Sequence, residues 1–301
     1  MRPRAVMGIA VGTVLAVTAI VITAWLFTRP SGPDAVADAF LSALAAGKGD
    51  DAAALLADPP PEAIVERFAD AAAYISDPDV RSIDAASDDA ATAVADIALG
   101  GTTTRVTLAL VRTPVGWRVQ DGLGSVTAGT TLGDSIRIGG VLARAGDAVP
   151  VLPAAYDVEA APGDLLVGRE EALALPGAEV EVTVRAALGP DAETRAQEGV
   201  DAYSDDCARP ADAVPERCGI RIPWAADLAT LTAVDFRIEA HPVVELSEED
   251  LSFTATDGVL VATVTGVTRT GDEGSFTYRT DTWTLRGDLS FRGDRMVLAV
   301  R

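Results

Sequence analysis

Apolar residues run without interruption from Ala5 to Phe27, then recur at helical spacing, then alternate with polar ones to the last residue. The first run is 23 residues long and carries no charged side chain. A helix rising about 1.5 Å per residue needs roughly 20 residues to cross the hydrocarbon core. The pattern therefore predicts a transmembrane helix over 5–27, with Trp25 near the outer interface. Arg2 and Arg4 precede it with no acid between. They outweigh Arg29 on the far side and place the N-terminus in the cytoplasm and the remainder outside. A cleaved signal peptide is the competing reading, with Ala35-Val36-Ala37 as its peptidase match. Its apolar core would usually span only about 7–15 residues, so the length favours an uncleaved anchor.

After the turn formers of residues 28–33, Val36, Phe40, Leu41 and Leu44 mark one face of a helix that Gly47 and Gly49 end. Asp50 or Asp51 can cap a short second helix running through Leu56. Pro59-Pro60-Pro61 stops it and opens a third at Glu62, with Ile64, Phe68, Ala71, Ala72 and Ile75 on one face. Beyond Asp77-Pro78 the period drops to two. Strands are predicted over 80–84, 92–99 and 104–111, and a turn at Thr113–Gly116 leads into Trp117-Arg118-Val119.

Residues 125–187 show several short alternating runs between turns such as Gly139-Gly140 and Pro176-Gly177, which suggests a small β-sandwich. From 188 onward, Ala192, Ala196, Val200 and Tyr203 predict a helix over 190–204. Strands follow over 234–239, 243–246, 251–256, 259–267, 275–285 and 296–300. Asp257-Gly258 and Gly271-Asp272 read as hairpin turns. The expected organisation is a cytoplasmic tail (1–4), transmembrane helix (5–27), linker (28–33), α+β domain (34–124), sandwich-like module (125–187) and C-terminal α+β domain with a cysteine loop (188–301).

The order of a helix in VADAFLSALAAGKGDDAAALL, a third helix, strands and then VGWRVQDG resembles the NTF2-like, cystatin-like cone fold over residues 33–122. The resemblance implies a cone of helices on an antiparallel sheet, as in small domains held just outside a bacterial membrane. It also implies a pocket that Phe40, Phe68, Tyr74 and Trp117 would approach, although filling the core is the favoured reading of these aromatics. VPVLPAAYDVEA resembles a strand pair of cell-surface sandwich modules, with Ala154 where a glycine is usual. The expected fold class is thus α+β: an N-terminal transmembrane helix, an NTF2-like cone, a small β-sandwich, and a C-terminal helix plus antiparallel sheet.

The chain has 45 acidic and 24 basic residues and a formal net charge of −21. Such a surface repels nucleic acid, so DNA and RNA are not expected partners. Absence of Asn, a single Lys and abundant Ala resemble the composition of proteins from GC-rich actinobacteria. Cys207 and Cys218 are the only cysteines. Outside the cytoplasm they are expected to pair, closing a short loop worth about 3 kcal/mol in the chain-entropy account. Asp205 and the two cysteines would then tie the helix end to the sheet. A metal site is the alternative, but the spacing is not C-x-x-C and the one histidine is distant.

No catalytic residues are assigned. His241 is the sole histidine, so a zinc cluster is excluded, and it has no nucleophile-elbow serine to serve. Lys48 is the sole lysine and residue 45 is Ala, so S-x-x-K is absent. Glu170-Glu171, Asp205-Asp206 and Glu248-Glu249-Asp250 are adjacent acids that a carboxylate-dependent hydrolase could use, but solvated pairs are expected in so acidic a chain. No phosphate-binding, calcium-binding or dinucleotide fingerprint appears, and no cofactor is expected. The sequence leads to the expectation of a non-enzymatic, single-pass membrane protein whose exported region binds or scaffolds another envelope protein or a cell-wall precursor. A sensor of envelope stress or wall-active ligands is the alternative.

Overall fold

The computed structural model describes residues 32–301. The apolar run of 5–27, on which the anchor and the topology rest, lies outside the described residues. Among the described residues no helix is long and apolar enough to cross a membrane.

The expected α+β class is corrected. The described residues are 53% strand and 17% helix, with four α-helices, so the protein is mainly β. The NTF2-like assignment fell with that class. Two helices are shorter than expected, ending at Ala53 and Ala69, and the C-terminal strands run longer, over 228–240, 252–268 and 273–292. Ala90–Leu99 (AATAVADIAL) has strong intrinsic helix formers, yet its Ala91, Ala93, Ala95, Ile97 and Leu99 are buried in strict alternation. Small side chains pack on a pleated sheet as well as on a helix, and strand pairing overrides propensity.

The described chain divides into two compact units. The first comprises residues up to Ser125, Pro150–Tyr156 and Leu173–Val180, and the second holds Val126–Val149, Asp157–Ala172 and Glu181–Arg301.

The first unit begins with α1 (Pro33–Ala45), α2 (Gly49–Ala53) and α3 (Glu62–Ala69). Pro33 starts α1 where its missing N–H costs nothing, and Asp34 sits in the first turn, where a negative charge suits the helix dipole. α2 is shorter than expected, and neither Asp50 nor Asp51 caps it; both lie inside its first turn. α3 stops at Ala69, so Ala71 and Ile75 are not on its face. Ile75 is nonetheless 2% exposed, because it follows β1 (Ala73–Tyr74) into the core. β2 (Ser76–Ala85), β3 (Ala90–Leu99), β4 (Thr102–Thr113) and β5 (Gly116–Val119) form an antiparallel meander in sequence order. Val36, Phe40, Leu41 and Leu44 of α1 are fully buried. On the meander's polar face, Asp96 lies between Arg81 (2.8 Å) and Arg105 (2.9 Å).

The middle of the chain supplies β6 (Gly124–Thr130), β7 (Ser135–Ile138), β8 (Val141–Arg144), β9 (Ala148–Val151), β10 (Ala154–Ala160), β11 (Leu166–Val167), β12 (Arg169–Ala174), β13 (Glu179–Val184) and β14 (Ala187–Leu188). All five passages of the chain between the units fall inside strands: β6, β9, β10, β12 and β13. In the first unit Tyr156 is fully buried and its hydroxyl donates to Leu152 O at 2.6 Å. In the second, Val158–Ala160 of β10 pairs with β7.

α4 (Ala192–Cys207) is followed by β15 (Leu228–Ala240), β16 (Val243–Ser247), β17 (Ser252–Thr268), β18 (Glu273–Arg292) and β19 (Arg295–Val300). The sheet order is β15-β17-β18-β19, with β16 also paired to β17. The strands expected over 251–256 and 259–267 are one strand. Asp257-Gly258 makes a bulge and not a hairpin turn: the register against β18 shifts on both sides of Gly258. Asp257 has φ +61°, and a positive φ at an Asp-Gly pair suits a bulge as well as a turn. Gly271-Asp272 does turn the chain, with Thr268 N–H donating to Asp272 O at 2.8 Å.

Trp283, Phe253, Leu260 and Leu285 of the sheet, each about 1% exposed, form the second unit's core with Ala196 and Val200 of α4. Ser204 of α4 is 0% exposed and its hydroxyl has no partner among the described residues. An unpaired buried hydroxyl costs about 1–3 kcal/mol. Ser204→Ala is therefore expected to raise the urea midpoint, by the equivalent of about 1 kcal/mol; a lowered midpoint would show that the hydroxyl serves the fold.

A second expectation concerns acid. Hydrogen bonds from Arg105, then from Arg81, hold the Asp96 carboxyl below its ordinary range. A depressed folded pKa gives stability that is present above the unfolded value, near pH 3.9, and is lost as pH falls through the folded one. The stability difference between the native chain and Asp96→Asn should thus shrink from pH 5 toward pH 2, measured by urea unfolding. A difference that stays constant would assign it to packing.

Candidate functional site

α4 is held to its sheet by three ties. The Gln197 side-chain amide donates to Pro242 O at 2.9 Å and accepts from Val244 N–H at 2.9 Å, so one side chain pairs with the backbone where β16 begins. His241 Nε2 lies 2.9 Å from Asp205 Oδ1. Cys207, the last residue of α4, is disulfide-bonded to Cys218 with Cα atoms 5.7 Å apart. The expected pairing is thus present, together with the tie between helix end and sheet.

On the β19 side the helix and sheet do not close. A groove of about 490 Å³ opens there, with Val200, Tyr203, Met296, Leu298 and Val300 as its apolar floor. β19 alternates, so Met296, Leu298 and Val300 turn toward the core while Arg295, Val297 and Ala299 are exposed. Charged groups stand around the floor: Asp164, Arg195, Glu198, Asp294 and Arg295. Arg195 and Glu198 pair at 2.9 Å. The turn carrying Asp294 is fixed by Asp134, whose Oδ1 accepts from Gly293 N–H at 2.8 Å and from the Ser135 hydroxyl at 2.8 Å. These two bonds hold the Asp134 carboxyl below its ordinary range.

Gly199 lies in the groove wall where α4 faces β19. Glycine within a helix costs about 0.5–1 kcal/mol relative to alanine. A Cβ at this position would lie 3.1 Å from Leu298 Cδ1. The missing side chain lets Leu298 lie close to the helix backbone at the groove's edge. The arrangement suits a ligand with an apolar body and a polar end; it brings no nucleophile and base together. A larger groove of about 800 Å³ in the first unit runs past Leu56, Pro59, Pro60, Val115 and Arg118.

The four aromatic residues that the cone resemblance would bring to a pocket all lie in the first unit. Phe40 and Phe68 are fully buried and Trp117 is 9% exposed, all in the first unit's core. Tyr74 is half-buried with its ring centroid 4.9 Å from that of Phe68, and its hydroxyl donates to Ala69 O. The four do not line the grooves described here. The adjacent acids are all exposed. Asp206 pairs with Arg209, and Glu248 accepts from Leu188 N–H at 3.0 Å. Among the described residues no group of three or more His, Cys, Asp or Glu side chains is placed to hold a metal ion.

Sequence reasoning missed the groove. Its one signal was Gly199, a glycine in the middle of an otherwise regular helical pattern. No protein-family model, curated protein or solved structure matches this chain.

Gly199→Ala is expected to stabilise the protein by up to about 1 kcal/mol, because the Leu298 methyl can turn into the open groove. Urea unfolding measures it. Destabilisation would show that Leu298 cannot move and that the groove wall is rigid.

Proposed function

We propose that this chain is a non-enzymatic binding protein of the cell envelope, anchored by residues 5–27 with residues 32–301 outside the cytoplasm. Its ligand is amphipathic and lies between α4 and β19. Three observations support the reading. The apolar run has the length of a membrane helix. The single disulfide is a bond that persists in oxidising compartments and is rare in reducing ones. The groove's volume, about 490 Å³, falls within the range of small-molecule sites, and its apolar floor with a charged rim is their usual chemistry.

The groove carries the proposal. An apolar body on Met296, Leu298 and Val300 loses its contact with water, while Arg195, Arg295 and the neighbouring acids orient a polar head. A lipid-linked cell-wall precursor has this division between tail and head.

The test is to extract the full-length protein from membranes and identify the small molecules that come with it by mass spectrometry, for the native chain and for Gly199→Leu. An amphipathic molecule retained by the native chain and lost from the variant is the expected result. Equal recovery from both, or none from the native chain, sinks the groove as the binding site. A stoichiometric envelope protein recovered in its place would make scaffolding the role.

A further inference from the structure

A second groove of the same unit has the opposite chemistry. It measures about 510 Å³ and is lined by Arg221, Arg286 and Arg301 together with Thr280, Thr282 and Thr284, and no acidic residue lines it. In a chain of 45 acidic and 24 basic residues, three arginines line one groove with no carboxylate among the lining residues. Arg301 pairs with Asp288, whereas Arg221 and Arg286 have no ion-pair partner among the described residues. Guanidinium groups carry only donors, and like charges held together repel unless an anion joins them. The threonine hydroxyls are underused as well. Thr280 Oγ1 and Thr282 Oγ1 are 3.4 Å apart, and Thr284 Oγ1 is 3.3 Å from Thr282 O, long for hydroxyl bonds.

The position of Arg221 is built by the core. The buried Trp283 indole N–H donates to Cys218 O at 2.7 Å, and Cys218 is bonded to Cys207 at the end of α4. The next residue, Gly219, has φ +63°, and a Cβ there would lie 2.2 Å from Thr284 O. Only a glycine lets this segment press against the β18 backbone. The chain then continues through buried Ile220 to Arg221. One wall of the groove is thereby fixed by a disulfide, an indole bond and a glycine contact, and β18 supplies the other.

We propose that this groove binds an anion carrying two or more carboxylate or phosphate groups. Guanidinium forks match the planar edge of a carboxylate or the oxygens of a phosphate, and charge-assisted bonds of this kind are about twice as strong as neutral ones. The threonine hydroxyls complete the shell. The site is separate from the apolar groove and does not depend on it.

The experiment is calorimetric titration of the full-length protein in detergent at low salt with inorganic pyrophosphate and, separately, with citrate. Saturable one-to-one binding of at least one is expected, and which one binds identifies phosphate or carboxylate as the natural group. The double substitution Arg221→Gln, Arg286→Gln should weaken it by roughly tenfold or more. Arg237→Gln, a change on β15 at a residue paired with Glu239, should leave it unchanged. Arg221 and Arg286 are exposed, so without ligand the double variant should unfold at the same urea concentration as the native chain, or at a higher one. Absence of saturable binding by both anions, binding unaltered in the double variant, or a double variant less stable than the native chain would each overturn the proposal.

Discussion

The buried hydrogen bond from Trp283 to the Cys218 carbonyl is the constraint on which the second unit depends. Among the described residues Trp283 is the largest fully buried side chain, and its indole contributes a large apolar area to the core. Its single N–H must find an acceptor there, since an unpaired one would cost about 1–3 kcal/mol. The acceptor comes from a loop with no regular structure of its own. Satisfying the indole therefore decides where that loop runs, and the disulfide carries the decision to the end of α4. Both grooves inherit it. The apolar one takes α4 as a wall, and the basic one takes the segment after Cys218.

How far the sequence disclosed this differs from place to place. Helices announced themselves where apolar residues kept a 3.6-residue period: Val36 to Leu44 in α1, Ala192 to Tyr203 in α4. The cysteine pair was legible because two thiols in one short stretch had few other uses. Element lengths were the weak point. β3 was expected over 92–99, but α2 and α3 end earlier and β15, β17 and β18 run further than their patterns indicated, and an α+β class was inferred where β dominates. Asp257-Gly258 misled for a different reason: a positive φ is needed by a turn and by a bulge, and only the pairing of β17 with β18 distinguishes them. The groove was hidden because it joins Gly199 to Leu298, far apart in sequence, and only the packing of α4 beside β19 brings them together.

Charge is handled in two ways on this acidic surface. In the first unit a carboxylate, Asp96, sits between two arginines from the neighbouring strands, and each guanidinium has a defined partner. Arg169 likewise reaches Asp157 and Glu159 in the second unit. Arginine suits this work because its planar fork can serve two acceptors at once. Arg221 and Arg286 belong to the other group, arginines without a carboxylate partner among the described residues, and they differ from the rest of it in lining one groove.

The division of the chain has a consequence in time. The first unit includes Leu173–Val180 as well as the residues before Ser125. A ribosome delivers the chain from its N-terminus. The helices and meander can pack on one another as they emerge, but the unit that holds them is complete only when Leu173–Val180 has been synthesised. The first unit is complete once Val180 has emerged, whereas the second waits for the last strand of the chain, and a folding helper would have most to protect during that second interval.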